Sequence, residues 1–297
     1  MSSLKHRRSL GNTAFDILNY LILSIFALIT LYPFYYILIF AFNDPIDSAR
    51  GGLYLLPRIF SVDSFRAIFS DNDILTPMGI AVARTLLGTA SMIVCTLIIA
   101  YCLSRKHLLL RGAIMKLIVF TMYVSGGIIP IYMVMKWSHL TNNFFVYIIP
   151  NLTNAFNIVL FKTFIEQLPP SLDESAQIDG ANDIVILFRI IAPLCTPIIA
   201  TIALFNSVWH WNSWYDNYIY TSARENLMTL QYLLVRMLRE SEAMRQIATR
   251  GSAAALRMSP ESIRMATALV IIFPIFCAYP FVQRYFVKGM LIGAVKG

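Results

Sequence analysis

Six apolar runs, each long enough to cross a lipid bilayer, constrain this chain more than any other feature. They lie near Phe15–Phe42, Met78–Ser104, Ala113–Trp137, Phe144–Phe161, Ile190–Trp214 and Met265–Val287. A hydrocarbon layer needs about 20 helical residues. Lipid offers no partner to a bare peptide group, so each run must satisfy its backbone within itself. The expected fold is therefore an all-α integral membrane protein with six transmembrane helices. Only 13% of the residues are charged and 58% are hydrophobic, against about 25% charged in soluble domains. The run from Ile17 to Phe42 exceeds the about 7–15 residues of a signal-peptide core, and no small-residue cleavage site follows it. It is expected to stay as the first span, after a cytoplasmic segment 1–14, with 15–297 forming one membrane domain.

Charge in the short loops gives the orientation. Lys5, Arg7 and Arg8 precede the first span; Arg105, Lys106, Arg111 and Lys116 separate the second from the third; Lys288 and Lys296 follow the sixth. With six crossings these sets share one side, so both termini and the tail at about 288–297 are expected in the cytoplasm. The net charge of +8 then belongs to the flanks of spans and to anionic lipid rather than to nucleic acid. Two long outer loops remain. Asn43 to Pro77 is acidic, with Asp44, Asp47, Asp63, Asp71 and Asp73. The second, about 216–264, is basic, with Arg224, Arg236, Arg239, Arg245, Arg250, Arg257 and Arg264. Long loops translocate largely regardless of charge. Within that loop, Met228 to Met244 has the apolar spacing of an amphipathic helix.

Catalytic machinery is missing from the sequence. There is no G-x-x-x-x-G-K-[ST] phosphate loop and no H-E-x-x-H helix. His6, His107, His139 and His210 are too scattered for a metal site, and Cys95, Cys102, Cys195 and Cys277 have no ligand spacing and read as packed thiols. No catalytic residue, metal or cofactor is expected in this chain.

Between the fourth and fifth apolar runs lies a polar loop, about 166–189. Glu174, Asp179, Asp183 and Arg189 would each cost roughly 2.5–3.5 kcal/mol in lipid, so the loop must be outside it. Its order is Glu174-Ser175-Ala176, three residues, Gly180, nine residues, then Ile190-Ile191-Ala192-Pro193. This resembles the "EAA" loop of ABC importer permeases, E-A-A, three residues, G, nine residues, I-x-L-P. Ser175 and Ala192 depart from it by small or apolar exchanges. The topology places this loop in the cytoplasm by a separate argument.

The terminal stretch Tyr279-Pro280-Phe281 to Lys288-Gly289, ending Gly293-Ala294-Val295-Lys296-Gly297, is similar to the end of carbohydrate-uptake permeases of the maltose type. The resemblance covers nearly the whole chain. It implies the smaller six-span permease of an oligosaccharide ABC importer in the bacterial inner membrane. The partners implied are a second related permease, two ATPase subunits that bind ATP and Mg, and an extracytoplasmic solute-binding protein. Glu174, Ser175, Ala176, Asp179, Gly180 and Ala181 would couple to the ATPase. Leu172, Ala176 and Ile178 would offer an apolar face, and Gly180 a turn that any side chain would obstruct.

Polar and aromatic residues in the spans are candidates for the solute pathway. Asn151, Asn154 and Asn157 follow Pro150 at a spacing that shares a helix face. Asn206, Trp209, Trp211, Trp214, Tyr215 and Asp216 end the fifth run, and could be a sugar platform or an aromatic belt with interhelical hydrogen bonds. The basic outer loop resembles the loop by which such permeases enter their binding protein. Its arginines suit an acidic ligand of the alginate kind, an acidic docking face, or a solvated helix surface. Two rivals are an ABC permease for a non-sugar solute and a secondary transporter. The uncharged span centres and the absence of inverted repeats oppose the latter.

Overall fold

The computed structural model describes residues 10–48, 50–52, 55–70, 74–248 and 261–277. The first basic cluster, part of the second outer loop and everything from 278 onward lie outside them, including the later half of the sixth run. Among the described residues the chain is helical, and its only extended pairing is an isolated bridge between Asn43 and Phe60. It divides into two compact units, 1–70 with 240–270, and 71–239 with 271–297.

In the first unit, α1 (Leu10–Ala41) carries the first span, Phe15–Ala41. Its long apolar side chains are exposed along most of its length, which suits a helix whose solvent is lipid. Only its end is packed, where Ile39 and Phe40 meet Tyr36 and Met265. The following turn is organised by buried polar groups. The Asn43 amide donates to Asp47 Oδ2 (3.0 Å) and Ser48 Oγ (2.9 Å), and accepts from the Ile59 N–H (3.0 Å). Arg58 donates from Nε to Asp47 Oδ2 (2.9 Å) and from Nη2 to the Gly51 carbonyl (2.8 Å). The Asn43 hydrogen bond, with Arg58 beside it, holds the Asp47 carboxyl below its usual pKa.

The second unit is built on α2 (Leu75–Ser104), the second continuous span. Three further apolar stretches are broken helices. α3 (Arg111–Tyr123) and α4 (Ile128–Trp137) meet at 118°. The expected third span, Ala113–Trp137, is thus not one straight helix. Gly127 at its break has φ +80, a conformation a β-carbon disfavours, and a helix cannot pass through it. Short 3₁₀ turns over Phe144–Asn151 meet α5 (Ala155–Ile165) at 47°. After α6 (Ser171–Ile178), α7 (Asp183–Leu194) is π-wound over Ile186–Ile191 and meets α8 (Thr196–Asn212) at 81°. Pro193 and Pro197 flank that corner and cannot donate backbone hydrogen bonds across it. The fifth helical run thus begins seven residues before the expected Ile190, within the polar loop.

The core of this unit lies between α2, α5, α7 and α8, where Met92, Leu97, Phe161, Ile191 and Ile202 are buried together. Gly88 lets α2 approach α8 closely, because its missing side chain is where the His210 ring lies. Thr89 and Ser207 hydroxyls meet at 3.2 Å across the same contact. Cys195 is buried at the α7–α8 corner, whereas Cys102 and Cys277 are exposed, so the expectation of packed thiols fails for those two. α9 (Tyr215–Tyr220) and α10 (Leu230–Ala248) follow α8. The latter is the helix expected over Met228 to Met244, shifted by two to four residues.

Candidate functional site

The loop between α5 and α7 stands out from the apolar body as a helix, a glycine turn and a second helix. Pro170 precedes α6, and Asp173 and Glu174 occupy its first turn, where acidic groups favour the helix dipole. Asp179 caps α6, Gly180 takes φ +79, and the Ala181 N–H donates back to the Ala176 carbonyl at 2.9 Å. These are the bonds of a Schellman-type stop. The Asn182 side chain then caps α7 by accepting from the Val185 N–H at 2.9 Å. A β-carbon at Gly180 would meet nothing within 4 Å. The glycine is therefore required by backbone conformation, and the expectation of steric obstruction is corrected.

The expected apolar face is also rearranged. Ala176 is buried in the core beneath the loop, Leu172 is half-buried, and Ile178 is 86% exposed. Ile184 and Phe188 on α7 are exposed as well. Glu174, Ser175 and Asp179 are on the open surface, and Ala181 is half-buried. The outward surface thus combines the acidic Glu174 and Asp179 with Ile178, Ile184 and Phe188, while Ala176 anchors it.

Polar contacts fasten this loop to the end of α2. Arg105 pairs with Asp173 through both terminal nitrogens, one of them at 3.0 Å from Oδ1. Arg105 also donates to the Tyr101 hydroxyl and lies 4.2 Å from that ring's centroid. The same hydroxyl donates to Asp183 Oδ1 at 3.0 Å. Burial works against the charge of Arg105, but its bonds to Asp173 and Tyr101 prevail and hold its pKa above the ordinary value. Arg111 ties the start of α3 to Glu166 and to the Leu103 carbonyl (2.7 Å). α6 and α7 are thereby held to one point on α2. Sequence reasoning missed this clamp because its partners are far apart in the chain. The signal available was basic residues at the end of one span and acidic residues within the loop.

The solute-pathway candidates separate into two groups. Asn151 donates to the Tyr147 carbonyl (3.2 Å), and Asn154 caps α5 by accepting from the Asn157 N–H (3.2 Å). A cap is not a helix-face residue, so Asn151, Asn154 and Asn157 do not share the expected face. Asn206 donates to its own helix at Ile202 O (3.4 Å), and Trp211 Nε1 donates to the Ile271 carbonyl (3.0 Å). Only the Trp211 contact reaches another segment of the chain. Trp209 is exposed near the end of α8, while Trp214 and Tyr215 meet edge to face with ring centroids 5.7 Å apart.

Asp216 is already occupied. Arg84, with a side chain 0% exposed, reaches it through both terminal nitrogens, one at 3.1 Å from Oδ1. The guanidinium also lies 4.5 Å from the Tyr147 ring centroid and donates to the Ser213 carbonyl (3.2 Å). Arg84 is a charge within the second span, in its first half rather than at the centre, where no charge was expected. Paired in this way it balances its charge locally, as buried ions must. An arginine inside an apolar run was the overlooked signal.

With this geometry in place, comparison with known proteins is decisive. No protein-family model matches the chain. Protein LplC of Bacillus subtilis (strain 168) is 36% identical over 285 residues, covering 95% of both chains. The polygalacturonan/rhamnogalacturonan transport system permease protein YtcP of the same strain is 38% identical over 288 residues, covering 96% of this chain and 99% of YtcP. A crystal structure of a bacterial ABC transporter involved in the import of the acidic polysaccharide alginate matches with a TM-score of 0.83 at 29% identity, over 94% of this chain and 98% of that one. The chain is an integral membrane protein of the ABC permease class. It belongs to the family of carbohydrate-uptake ABC importer permeases.

Proposed function

We propose that this chain is one of two permeases in a binding-protein-dependent importer of an acidic oligosaccharide. It crosses the bacterial inner membrane six times with both termini cytoplasmic. A second related permease, two ATPase subunits that bind ATP and Mg, and an extracytoplasmic solute-binding protein complete the assembly. The chain itself carries out no covalent step.

The observation that carries this reading is the clamped loop. Glu174, Asp179, Ile178, Ile184 and Phe188 form a surface of mixed charge and apolar groups suited to a groove on another protein. Arg105 and Tyr101 join both arms of that surface to α2. Movement imposed on the loop by closure of an ATPase pair passes to the second span as a rigid displacement. The broken helices at 118°, 47° and 81° supply joints about which the pathway can change shape. An acidic solute is favoured by the arginines of the second outer loop, and by the chemistry of galacturonan and alginate, both carboxylated polysaccharides.

The test is ATP hydrolysis by the whole complex in lipid discs, with binding protein loaded with either an oligogalacturonate or a neutral oligosaccharide of equal length. Selective stimulation by the acidic form is expected, and its loss in Glu174→Ala with subunit composition intact. Stimulation by the neutral form alone overturns the acidic assignment, and absence of any co-purifying ATPase overturns the importer.

A further inference from the structure

Arg239 on α10 is placed unlike the other arginines of the second outer loop. Its guanidinium carbon lies 5.0 Å from the Tyr218 ring centroid and 5.5 Å from that of Trp214. The side chain is exposed, and among the described residues it forms no ion pair. Asp216, which lies between Trp214 and Tyr218 in the chain, is committed to Arg84. A guanidinium is planar, and its N–H groups lie in the plane of the fork. That fork fits a carboxylate through two parallel hydrogen bonds.

Beside the fork are flat surfaces. Tyr215 is 49% and Tyr218 40% exposed, with ring centroids 6.4 Å apart. Rings of this kind receive the C–H face of a pyranose, while a cation held at their edge selects a carboxylated one.

From this juxtaposition we propose that Arg239, Trp214, Tyr215 and Tyr218 form a subsite for a uronate residue, with Arg239 binding the carboxylate and Tyr215 receiving the sugar face. The proposal rests on the acidic-saccharide reading above and adds the residues that enforce it. It also gives a purpose to the Arg84–Asp216 pair, which keeps Asp216 engaged elsewhere.

Trp214 supplies a signal independent of transport. The whole complex in lipid discs, without binding protein, is titrated with trigalacturonate and with its full methyl ester while tryptophan fluorescence is followed. A saturable change is expected with the acid, absent in Trp214→Phe, and about 10-fold or more weaker in affinity with the ester. Arg239→Gln should bind the acid as weakly as the ester, and Arg239→Lys should lie between. An unchanged acid titration in Arg239→Gln overturns the subsite, as does a wild-type complex with no Trp214-dependent change. If Arg239→Gln instead weakens stimulation by binding protein equally for acidic and neutral cargo, Arg239 serves docking and the subsite is again overturned. In each case the acidic-saccharide reading is judged separately by the hydrolysis assay.

Discussion

Replacing Gly88 with alanine tests the packing of α2 on α8 with a single methyl group. The added carbon would lie 2.5 Å from His210 Nε2, 2.6 Å from Cε1 and 3.0 Å from Cδ2. Ordinary carbon contacts lie at about 3.5–4.0 Å, so the ring must retreat by about 1 Å. His210 is fully buried. Overpacking of this kind costs about 1–3 kcal/mol. The assay is thermal unfolding of the assembled complex in detergent, as a cycle of Gly88→Ala, His210→Ala and both together. The expected result is that the double variant is more stable than the sum of the single losses predicts, by about the size of the clash. Simple additivity, or a Gly88→Ala complex as stable as wild type, refutes the claimed contact.

Further outcomes follow from other contacts. Arg105→Ala leaves Asp173 without its cation and should destabilise the loop by about 1–3 kcal/mol; limited proteolysis between 166 and 189 should accelerate, and ATP hydrolysis should become less responsive to loaded binding protein. Gly180→Ala must adopt a left-handed conformation, costing about 1–2 kcal/mol, and Gly180→Asn should be the milder change in the same assays. The Asp47 carboxyl has a folded pKa below its ordinary 3.8, so its contribution is fully present above that value and lost as pH falls through the lower one. Hydrogen exchange at the Ile59 amide, which donates to the Asn43 side chain that Asp47 holds, should show that loss beyond the intrinsic pH dependence of exchange, and Asp47→Asn should remove the excess.

Much of the membrane architecture was legible because lipid makes apolar length a direct physical demand. The first two spans show it, and so does the polar loop that could not be among them. The loop's glycine was legible as a necessity, but its cause was not. Nothing in the sequence separates a position needing space from one needing positive φ, and Gly180 needs the latter while Gly88 needs the former. Bends were only half legible: Gly127, Pro150, Pro193 and Pro197 mark the interrupted runs, but a glycine or proline within an apolar run is compatible with both a straight and a broken helix. Asn154 matched a helix face by spacing and became a cap, because an asparagine's side chain can compete for its own backbone. Arg84 and Asp216 were each visible alone, but their pairing requires α2 and the start of α9 to come together.

The central claim is that the loop from Ser171 to Ile191 is a contact surface for an ATPase and is joined to the second span. A photoreactive side chain placed at Ile178, which is 86% exposed, tests it within the full complex in lipid discs. Irradiation should yield one adduct, between this chain and the ATPase subunit, with a yield that changes between nucleotide-free and ATP-bound states. Adducts confined to lipid, or formed with the binding protein, would contradict the account.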